Sequence, residues 1–249
     1  MAVGELADAY ADPDLGAFDL GFLEDGVRVR RSLAACWGVR FERAAPVRPF
    51  RWPQGGRSFA GWYFCATTGE HIGYESWLER DRLILLDADP QVTGIASQPF
   101  WLHWHDGRRR RHAPDYFVRL ANGQGRVVDV RAADRVDEAA AEAFAATERA
   151  CRAVGWEFVR AGVADPVPMA NMRWLSRYRR RRCLRQDVAG RLLEVFSEPQ
   201  PLRSGAAVAG DPLVVLPVLF HLLWSGALVT DMISRLLGSD SVVHTARGQ

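Results

Sequence analysis

The chain has 249 residues, of which 48% are hydrophobic and 25% are charged, so it can bury a core and is not a disordered polypeptide. All 32 basic residues are arginine and the formal net charge is only +2, so the overall charge says little about nucleic acid. The four cysteines are scattered without CxxC spacing, which favours reduced thiols in a cytoplasmic protein over a zinc site or a disulfide framework.

The first 27 residues are rich in aspartate and glutamate and are predicted to form a flexible acidic leader. A secretory signal would instead begin with basic residues and continue with an apolar run. Residues 28–50 contain Pro46 and Pro49 and are predicted to form an irregular lead-in. A strand is predicted over 57–66, before the main core begins.

The middle of the chain alternates helical and extended patterns. A helix is predicted to begin at Ser76, because bulky apolar residues recur at seven-residue spacing until Asp89-Pro90 ends it. A second, alanine-rich helix is predicted from a cap at Asp134 to about Val154. Short strands are predicted at 92–96, 100–105 and 156–160.

A hairpin is predicted between these helices. The apolar, alternating runs 112–120 and 126–131 are separated by the turn 121–125, which contains an Asn-Gly pair. Asp115 stands at the start of the first strand and Asp129 near the end of the second. Antiparallel pairing therefore brings two carboxylates together, which is the arrangement that holds Mg²⁺ against a phosphodiester.

The order of helix, strands, helix and strand predicts an α/β fold with a mixed central sheet flanked by helices. This core is expected to occupy 28–165 together with its lead-in.

The remainder of the chain is predicted to be mainly helical. Residues 166–198 are predicted to form a basic helical segment, and 199–249 to comprise a linker, over the Pro/Gly/Ser-rich stretch 199–210, and a small C-terminal region. The apolar run 213–224 is shorter than the ~20 residues that a membrane span requires, so we expect a core helix and no membrane partner. Within the C-terminal region we expect a winged-helix-like unit built from helices at 213–226 and 228–237 and a strand at 241–244.

The spacing of the acids resembles a known nuclease pattern. Glu79, Pro114-Asp115 and Asp129-Val130-Arg131 resemble the PD-(D/E)xK motif, and the segment 74–81 with Gln98-Pro99 resembles the TnsA endonuclease subunit of heteromeric transposases. The similarity covers roughly 61–182. It implies a restriction-endonuclease-like core that uses Mg²⁺, or Mn²⁺, to cut one strand of double-stranded DNA at transposon ends. It also implies two partners, a DDE-type transposase subunit and an ATP-dependent transposition regulator.

The first candidate metal ligands lie in the predicted hairpin. The resemblance makes Asp115 a ligand, although a Pro-Asp pair also opens many ordinary strands. Asp129 stands where the best-known TnsA pattern has glutamine, and an acid binds a divalent cation better. Alternation places Asp129 and Arg131 on one face of the strand, and the carbonyl of Val130 is a further potential ligand.

Glu79 has two interpretations. It occupies the family's helix-acid position, which implies a ligand or water-holding role, but Ser76-x-x-Glu79 is also a capping box in which the glutamate reaches back to the Ser76 amide. Glu75, one turn earlier, is the rival acid. Gln98 is a further candidate for a hydrogen bond near the metal or substrate, although such a residue more often satisfies the backbone.

Arg131 replaces the catalytic lysine of the family. A guanidinium with a pKa above ~12 cannot take a proton from water at neutral pH. It can still place two N–H donors on phosphate oxygens and stabilise developing negative charge. A weakened or inactive nuclease is the alternative interpretation.

Two arginine runs and three histidines invite further hypotheses. Arginine runs of this kind usually form solvated surface. The first run, however, leads directly into the hairpin, so we expect it to make sequence-independent contact with the DNA backbone. The predicted DNA-binding residues are Arg108, Arg109, Arg110, Arg111, Arg179, Arg180 and Arg181. His103 and His105, with His112 nearby, could suggest a transition-metal site, but solvent-facing strand histidines are commoner.

The sequence is therefore compatible with three functions. The leading hypothesis is a Mg²⁺-dependent, TnsA-like DNA endonuclease. The second is a catalytically silent assembly subunit that binds DNA and partner proteins. The third is a restriction or repair nuclease of the same superfamily.

Overall fold

A computed structural model describes residues 16–50 and 59–246. Its contacts divide the chain into two compact units, with the boundary between Val163 and Ala164. The finer four-part division predicted from the sequence stays a prediction.

The first unit contains two α-helices and ten strands within the described residues. In chain order these are β1 (Asp19–Glu24), β2 (Val27–Ser32), β3 (Gly61–Phe64), β4 (His71–Tyr74), α1 (Trp77–Ala88), β5 (Val92–Ser97), β6 (Trp101–His105), β7 (Arg109–His112), β8 (Tyr116–Leu120), β9 (Gly125–Val130), α2 (Glu138–Ala153) and β10 (Glu157–Ala161). Short 3₁₀ turns lie at Leu33–Cys36, Phe41–Arg43 and Ala133–Arg135.

These strands form two four-stranded sheets and a separate β3-β4 hairpin. The first sheet has the order β2-β1-β6-β7 and is antiparallel. The second has the order β10-β9-β8-β5 and is mixed, because β10 runs parallel to β9 while the other pairs are antiparallel. The predicted α/β class with a mixed sheet is confirmed. The two predicted strands at 92–96 and 100–105 nevertheless lie in different sheets, since the chain turns between them at Gln98, whose φ is +47°.

The acidic leader is in part a core strand, which corrects the prediction of a flexible segment over 1–27. Phe18, Leu20 and Phe22 are almost fully buried, and β1 pairs with both β2 and β6. Asp19 and Gly21 alternate with the large buried residues Phe18, Leu20 and Phe22, and that alternation decides the structure of the stretch. Residues 1–15 lie outside the described part of the chain, as do 51–58, which hold the first two residues of the strand predicted over 57–66.

Phe41, in the lead-in, lies at the centre of an aromatic cluster that joins the two sheets. Its ring centroid is 5.1 Å from that of Phe22 and 4.9 Å from that of Phe100. The rings of Phe117 and Trp156 both lie 5.7 Å from it. Edge-to-face contacts at these distances add to the free energy of apolar burial. The lead-in therefore belongs to the core rather than preceding it.

The two helices of this unit are capped by side chains. Ser76 caps α1, as predicted, because its hydroxyl accepts from the Glu79 amide. Asp137 rather than Asp134 caps α2, since its carboxylate accepts from the Ala140 amide at 2.8 Å. Asp134 was the wrong assignment, because it lies in the 3₁₀ turn that precedes the helix.

The second unit combines four α-helices with three short strands within the described residues. The winged-helix-like assignment of the C-terminal region stays a prediction. Its elements are α3 (Pro166–Leu175), α4 (Gln186–Val195), β11 (Gln200–Pro201), α5 (Leu202–Ala209), α6 (Pro212–Trp224), β12 (Leu228–Val229) and β13 (Val242–Thr245). The three strands are antiparallel in the order β11-β13-β12. Within the described ranges, no helix combines the length and the hydropathy needed to cross a bilayer.

Two predictions for this unit were wrong in detail. The predicted linker at 199–210 is β11 and α5, because Gly205 lets this helix approach Phe196, whose Cζ would lie 2.3 Å from an added Cβ. The predicted helix over 228–237 is β12 followed by a loop. Asp231 accepts from the amides of Ile233 and Ser234, and such local bonds compete with a helix.

Phe41 provides a test of whether the lead-in is structural. We expect Phe41→Ala to lower the free energy of unfolding by about 3–5 kcal/mol, because it leaves a cavity among four rings. The change is measured by urea unfolding followed by near-UV circular dichroism. Phe59→Ala removes a ring that is 55% exposed and should cost well under half as much. Equal losses in the two variants would contradict the central position of Phe41.

Candidate active site

The β8-β9 hairpin places the two predicted aspartates side by side. Tyr116 pairs with Val128 in the antiparallel register, so the preceding residue, Asp115, lies across from Asp129. The Asp115 amide lies 3.4 Å from Asp129 Oδ1, and the Val130 amide donates to Asp115 Oδ2 at 2.7 Å. The predicted convergence of these two residues is confirmed.

The surroundings of Asp115 oppose its negative charge. Asp129 is 2% exposed, and Asp115 is partly buried. Loss of solvent, followed by the charges of Asp129 and Glu79, raises the pKa of Asp115 well above its usual range. A buried carboxylate whose pKa is raised by neighbouring acids, as that of Asp115 is, gains free energy from a divalent cation.

His112, the last residue of β7 in the first sheet, contacts Asp129 of β9 in the second sheet. Its Nε2 lies 2.9 Å from Asp129 Oδ1 and 3.0 Å from Oδ2. Strand alternation turns His112 to the inner face of β7, whereas His103 and His105 line a cavity on the outer face of the same sheet. The three histidines considered for a transition metal are therefore separated by the sheet, and His112 belongs to the carboxylate site.

Glu79 makes the capping contacts that the sequence predicted, with one difference. Its Oε1 accepts from the Ser76 hydroxyl at 2.8 Å, and its Oε2 accepts from the Glu75 amide at 2.7 Å rather than from the Ser76 amide. Burial is the largest cause that raises the pKa of Glu79, and the charge of Glu75 adds to it.

The three predicted acids do not form one metal-coordinating group in this structure. Over residues 16–50 and 59–246, no set of three or more histidine, cysteine, aspartate or glutamate side chains is arranged to hold a metal ion. Asp115 and Asp129 adjoin each other, while Glu79 acts on Asp115 through its charge. Two adjacent carboxylates match the donor set of Mg²⁺, which usually keeps several waters and takes only one or two protein carboxylates.

Arg131 follows directly after β9. Its amide donates to the Ala161 carbonyl at 2.9 Å, but its side chain is 44% exposed, with Nη1 lying 3.9 Å from Asp137 Oδ1. The predicted cation therefore lies at the surface, in contact with a helix cap.

A second cation, Arg48, was missed by the sequence analysis. Its Nη1 and Nη2 donate to the two carboxylate oxygens of Glu75 at 2.7 and 2.8 Å. The hydrogen bond to Glu75 is the largest cause that raises the pKa of Arg48, and the charges of Asp115 and Glu79 also raise it. No local motif marks this residue, because it lies in an irregular segment 27 positions before its partner.

Gln98 connects the lead-in to the hairpin through its backbone. Its amide donates to the Asp115 carbonyl at 2.8 Å, and its carbonyl accepts from the Val47 amide at 2.9 Å. The side chain is 2% exposed, and its Oε1 has no hydrogen-bond partner among the described residues.

The first arginine run lies on the first sheet, and its side chains point alternately to the two faces of that sheet. Arg109 pairs with His105 and Arg111 with His103, on the outer face, where the Arg111 guanidinium lies 4.4 Å from the centroid of the Trp101 ring. Arg110 instead reaches Asp106 and Glu142. Strand β2 presents arginines to the same outer face. We call this outer surface, formed by Arg28, Arg30, Arg109 and Arg111, the arginine face; Arg108 lies in the turn before β7.

The second predicted run belongs to the second unit. Arg179 donates to the Ser176 carbonyl, and the Arg177 guanidinium lies 5.0 Å from the centroid of the Trp174 ring. Arg180 is partly buried, while Arg181 is exposed and lies in a 3₁₀ turn. DNA binding by this run stays a prediction.

The fold and the site together agree with one known class of nuclease. A mixed sheet whose central hairpin presents two adjacent carboxylates is consistent with the PD-(D/E)xK nuclease superfamily. Residues 89–160 match the family model described as TnsA-like endonuclease N terminal. This segment is therefore similar to TnsA-like endonuclease N-terminal domains, and it contains both Asp115 and Asp129. A search of curated proteins finds no match.

The raised pKa of Asp115 predicts a pH-dependent stability. Unfolded aspartate titrates near pH ~3.9, and the folded pKa lies above this value. The stability contribution of Asp115 is therefore fully present below about pH 3.9 and is lost as the pH rises through the folded pKa. We expect Asp115→Asn to stabilise the metal-free protein more at pH 7 than at pH 4, as measured by urea unfolding in EDTA.

Asp134→Asn is the matched control for this comparison, because it removes an exposed carboxylate of the same unit. If Asp115→Asn changed stability equally at both pH values, the electrostatic account of the site would be wrong.

Proposed function

We propose that this chain is a Mg²⁺-dependent DNA endonuclease that cuts one strand at transposon ends. In this proposal it works as the TnsA-like subunit of a heteromeric transposase, with a DDE-type transposase subunit and an ATP-dependent regulator as partners. The observation that carries the proposal is the adjacency of Asp115 and Asp129 within a domain that matches TnsA-like endonucleases. Mn²⁺ is expected to substitute for Mg²⁺, since both prefer oxygen ligands.

The chain's own residues then have separate tasks. Asp115 and Asp129 hold the cation, and His112 fixes the orientation of Asp129 through its contact with both carboxylate oxygens. The carbonyl of Val130 is a further oxygen donor, and Glu79 is the acid that orients water near Asp115. When bound, the metal lowers the pKa of a water molecule and offsets charge on the phosphoryl oxygens.

The arginine face is proposed to bind the backbone of the DNA. Arg111 on the outer face directly precedes His112, which contacts Asp129 on the inner face. Arg28, Arg30 and Arg111 also line a cavity of about 240 Å³, which Val47 borders. Guanidinium groups spaced along an exposed strand pair suit the repeating phosphates of a duplex, and such contacts carry no sequence information. End recognition is therefore assigned to the partner transposase.

One observation favours the silent assembly subunit as a second candidate. An arginine replaces the family's lysine, and this arginine contacts Asp137 rather than the carboxylate pair. A silent subunit has no requirement for metal, whereas a nuclease must bind it at the acids. Calorimetry with Mn²⁺ therefore separates the two functions.

The Asp115 side chain provides the direct test of catalysis. We expect Asp115→Ala to lower Mg²⁺-dependent nicking of transposon-end DNA by about 10²-fold or more, since it removes a metal ligand while leaving the fold intact. The assay contains both partner subunits and is repeated in EDTA. Asp134→Ala, which removes an exposed carboxylate of the same unit, should nick at the wild-type rate. Undiminished cleavage by Asp115→Ala would refute the assignment.

The arginine face predicts a change in salt dependence. We expect the double substitution Arg109→Ala with Arg111→Ala to weaken binding to a duplex of arbitrary sequence. We also expect it to reduce the slope of log affinity against log salt by about 2, one for each lost phosphate contact. Fluorescence anisotropy at several salt concentrations measures both quantities. Arg152→Ala is the control, because Arg152 is exposed on α2 and pairs with Glu148; an equal loss in that variant would count against the face.

A further inference from the structure

Among the described residues, Arg131 and Arg48 are the two guanidinium groups considered for the carboxylate site, and they differ in where they lie. Arg131 is exposed beside a helix cap. Arg48 is partly buried, with 23% of its side chain exposed, and is paired with Glu75, which is 17% exposed. The amide of Glu75 in turn donates to Glu79. Arg48 is thereby joined to the acids through a network, whereas Arg131 contacts an acid that lies outside it.

The backbone around Arg48 is fixed to the hairpin. Its neighbour Val47 is 5% exposed and bonds to the Gln98 carbonyl, while the Gln98 amide bonds to the carbonyl of Asp115. Two hydrogen bonds therefore connect the residue before Arg48 to the proposed metal ligand. The positive φ of Gln98 allows its amide and carbonyl to bridge these two segments. Such anchoring limits the entropy lost when a long side chain engages a ligand.

The pairing with Glu75 leaves donors for a ligand. A guanidinium carries five N–H donors in one plane, and within the described residues Glu75 takes one from each terminal nitrogen. The remaining donors lie on the other edges of the same plane, where they match the spacing of two phosphate oxygens. Glu75 thus orients Arg48 without exhausting its hydrogen-bonding capacity.

We propose that Arg48, oriented by Glu75, is the guanidinium that contacts the scissile phosphodiester, in the role that the sequence alone assigns to Arg131. This proposal rests on the proposed nuclease function. It supplies a cation from the lead-in, outside the segment 89–160 that matches the family model. Glu75 is then a positioning residue for Arg48 rather than a metal ligand.

The test compares single-turnover nicking by Arg48→Ala, Arg48→Lys and the rival variant Arg131→Ala, with both partner subunits and Mg²⁺. We expect Arg48→Ala to lose about 10²–10³-fold in rate, the usual effect of removing one donor from the transition state. Arg48→Lys should lie between it and wild type, because an ammonium keeps the charge but lacks the planar fork. Arg131→Ala should lose far less than Arg48→Ala.

A binding measurement separates this role from a structural one. Titration calorimetry with Mn²⁺ alone should show that Arg48→Ala binds the ion at least as tightly as wild type, because a positive charge beside the acids has been removed. Asp115→Asn should lose Mn²⁺ binding. If Arg48→Ala lost Mn²⁺ binding in parallel with nicking, Arg48 would only be supporting the acids, and the proposal would be wrong.

The remaining outcomes distinguish the two proposals. Wild-type nicking by Arg48→Ala, together with an inactive Asp115→Asn, would overturn the role of Arg48 and leave the nuclease function standing. A wild-type chain that fails to nick, or an Asp115→Asn variant that nicks normally, would overturn the nuclease function and the role of Arg48 with it.

Discussion

The antiparallel pairing of β8 with β9 is the constraint on which the site depends. The ladder sets Asp115 across from Asp129, and the Val130 amide holds the first of these carboxylates. Two like charges so close together disfavour the metal-free fold, and the surrounding hydrogen bonds keep them in place. A local electrostatic cost that the rest of the structure maintains is typical of a site prepared for a cation. His112 adds a third fixed point, because it reaches both oxygens of Asp129 from β7 of the other sheet.

The N-terminal segment shows why this hairpin does not act alone. Phe41 packs against Phe117 of β8, and so ties the lead-in to the strand that follows Asp115. Seven residues later the same segment places Arg48 against Glu75. One irregular stretch therefore supplies both a core side chain and a charged side chain. This combination explains how residues that precede the family match at 89–160 become part of the same unit.

The folded structure, rather than the order of residues along the chain, separates the acidic side chains from the basic ones. Although the net charge is only +2, the acidic site lies at the β8-β9 hairpin of the second sheet and the arginine face lies on β2 and β7 of the first. Alternation along β7 makes this separation, because Arg109 and Arg111 are directed outward while Arg110 and His112 are directed inward. In the proposed nuclease, a basic outer surface attracts the polyanion, and the acidic site retains the cation that the reaction needs.

The sequence by itself determined the local features, since turn chemistry, alternation and capping depend on residues close together in the chain. It predicted the hairpin, the convergence of Asp115 with Asp129, and the cap at Ser76. It also led to the TnsA-like resemblance, which the match over 89–160 supports. It could not divide the strands between two sheets, and it could not identify β1 as a core strand. Pairing between distant segments depends on packing that no short pattern records. The position of Arg48 was decided only by tertiary structure. Its partner in the ion pair lies 27 positions away, so no short sequence pattern marks the pair. The pair exists only after the lead-in has packed against the hairpin.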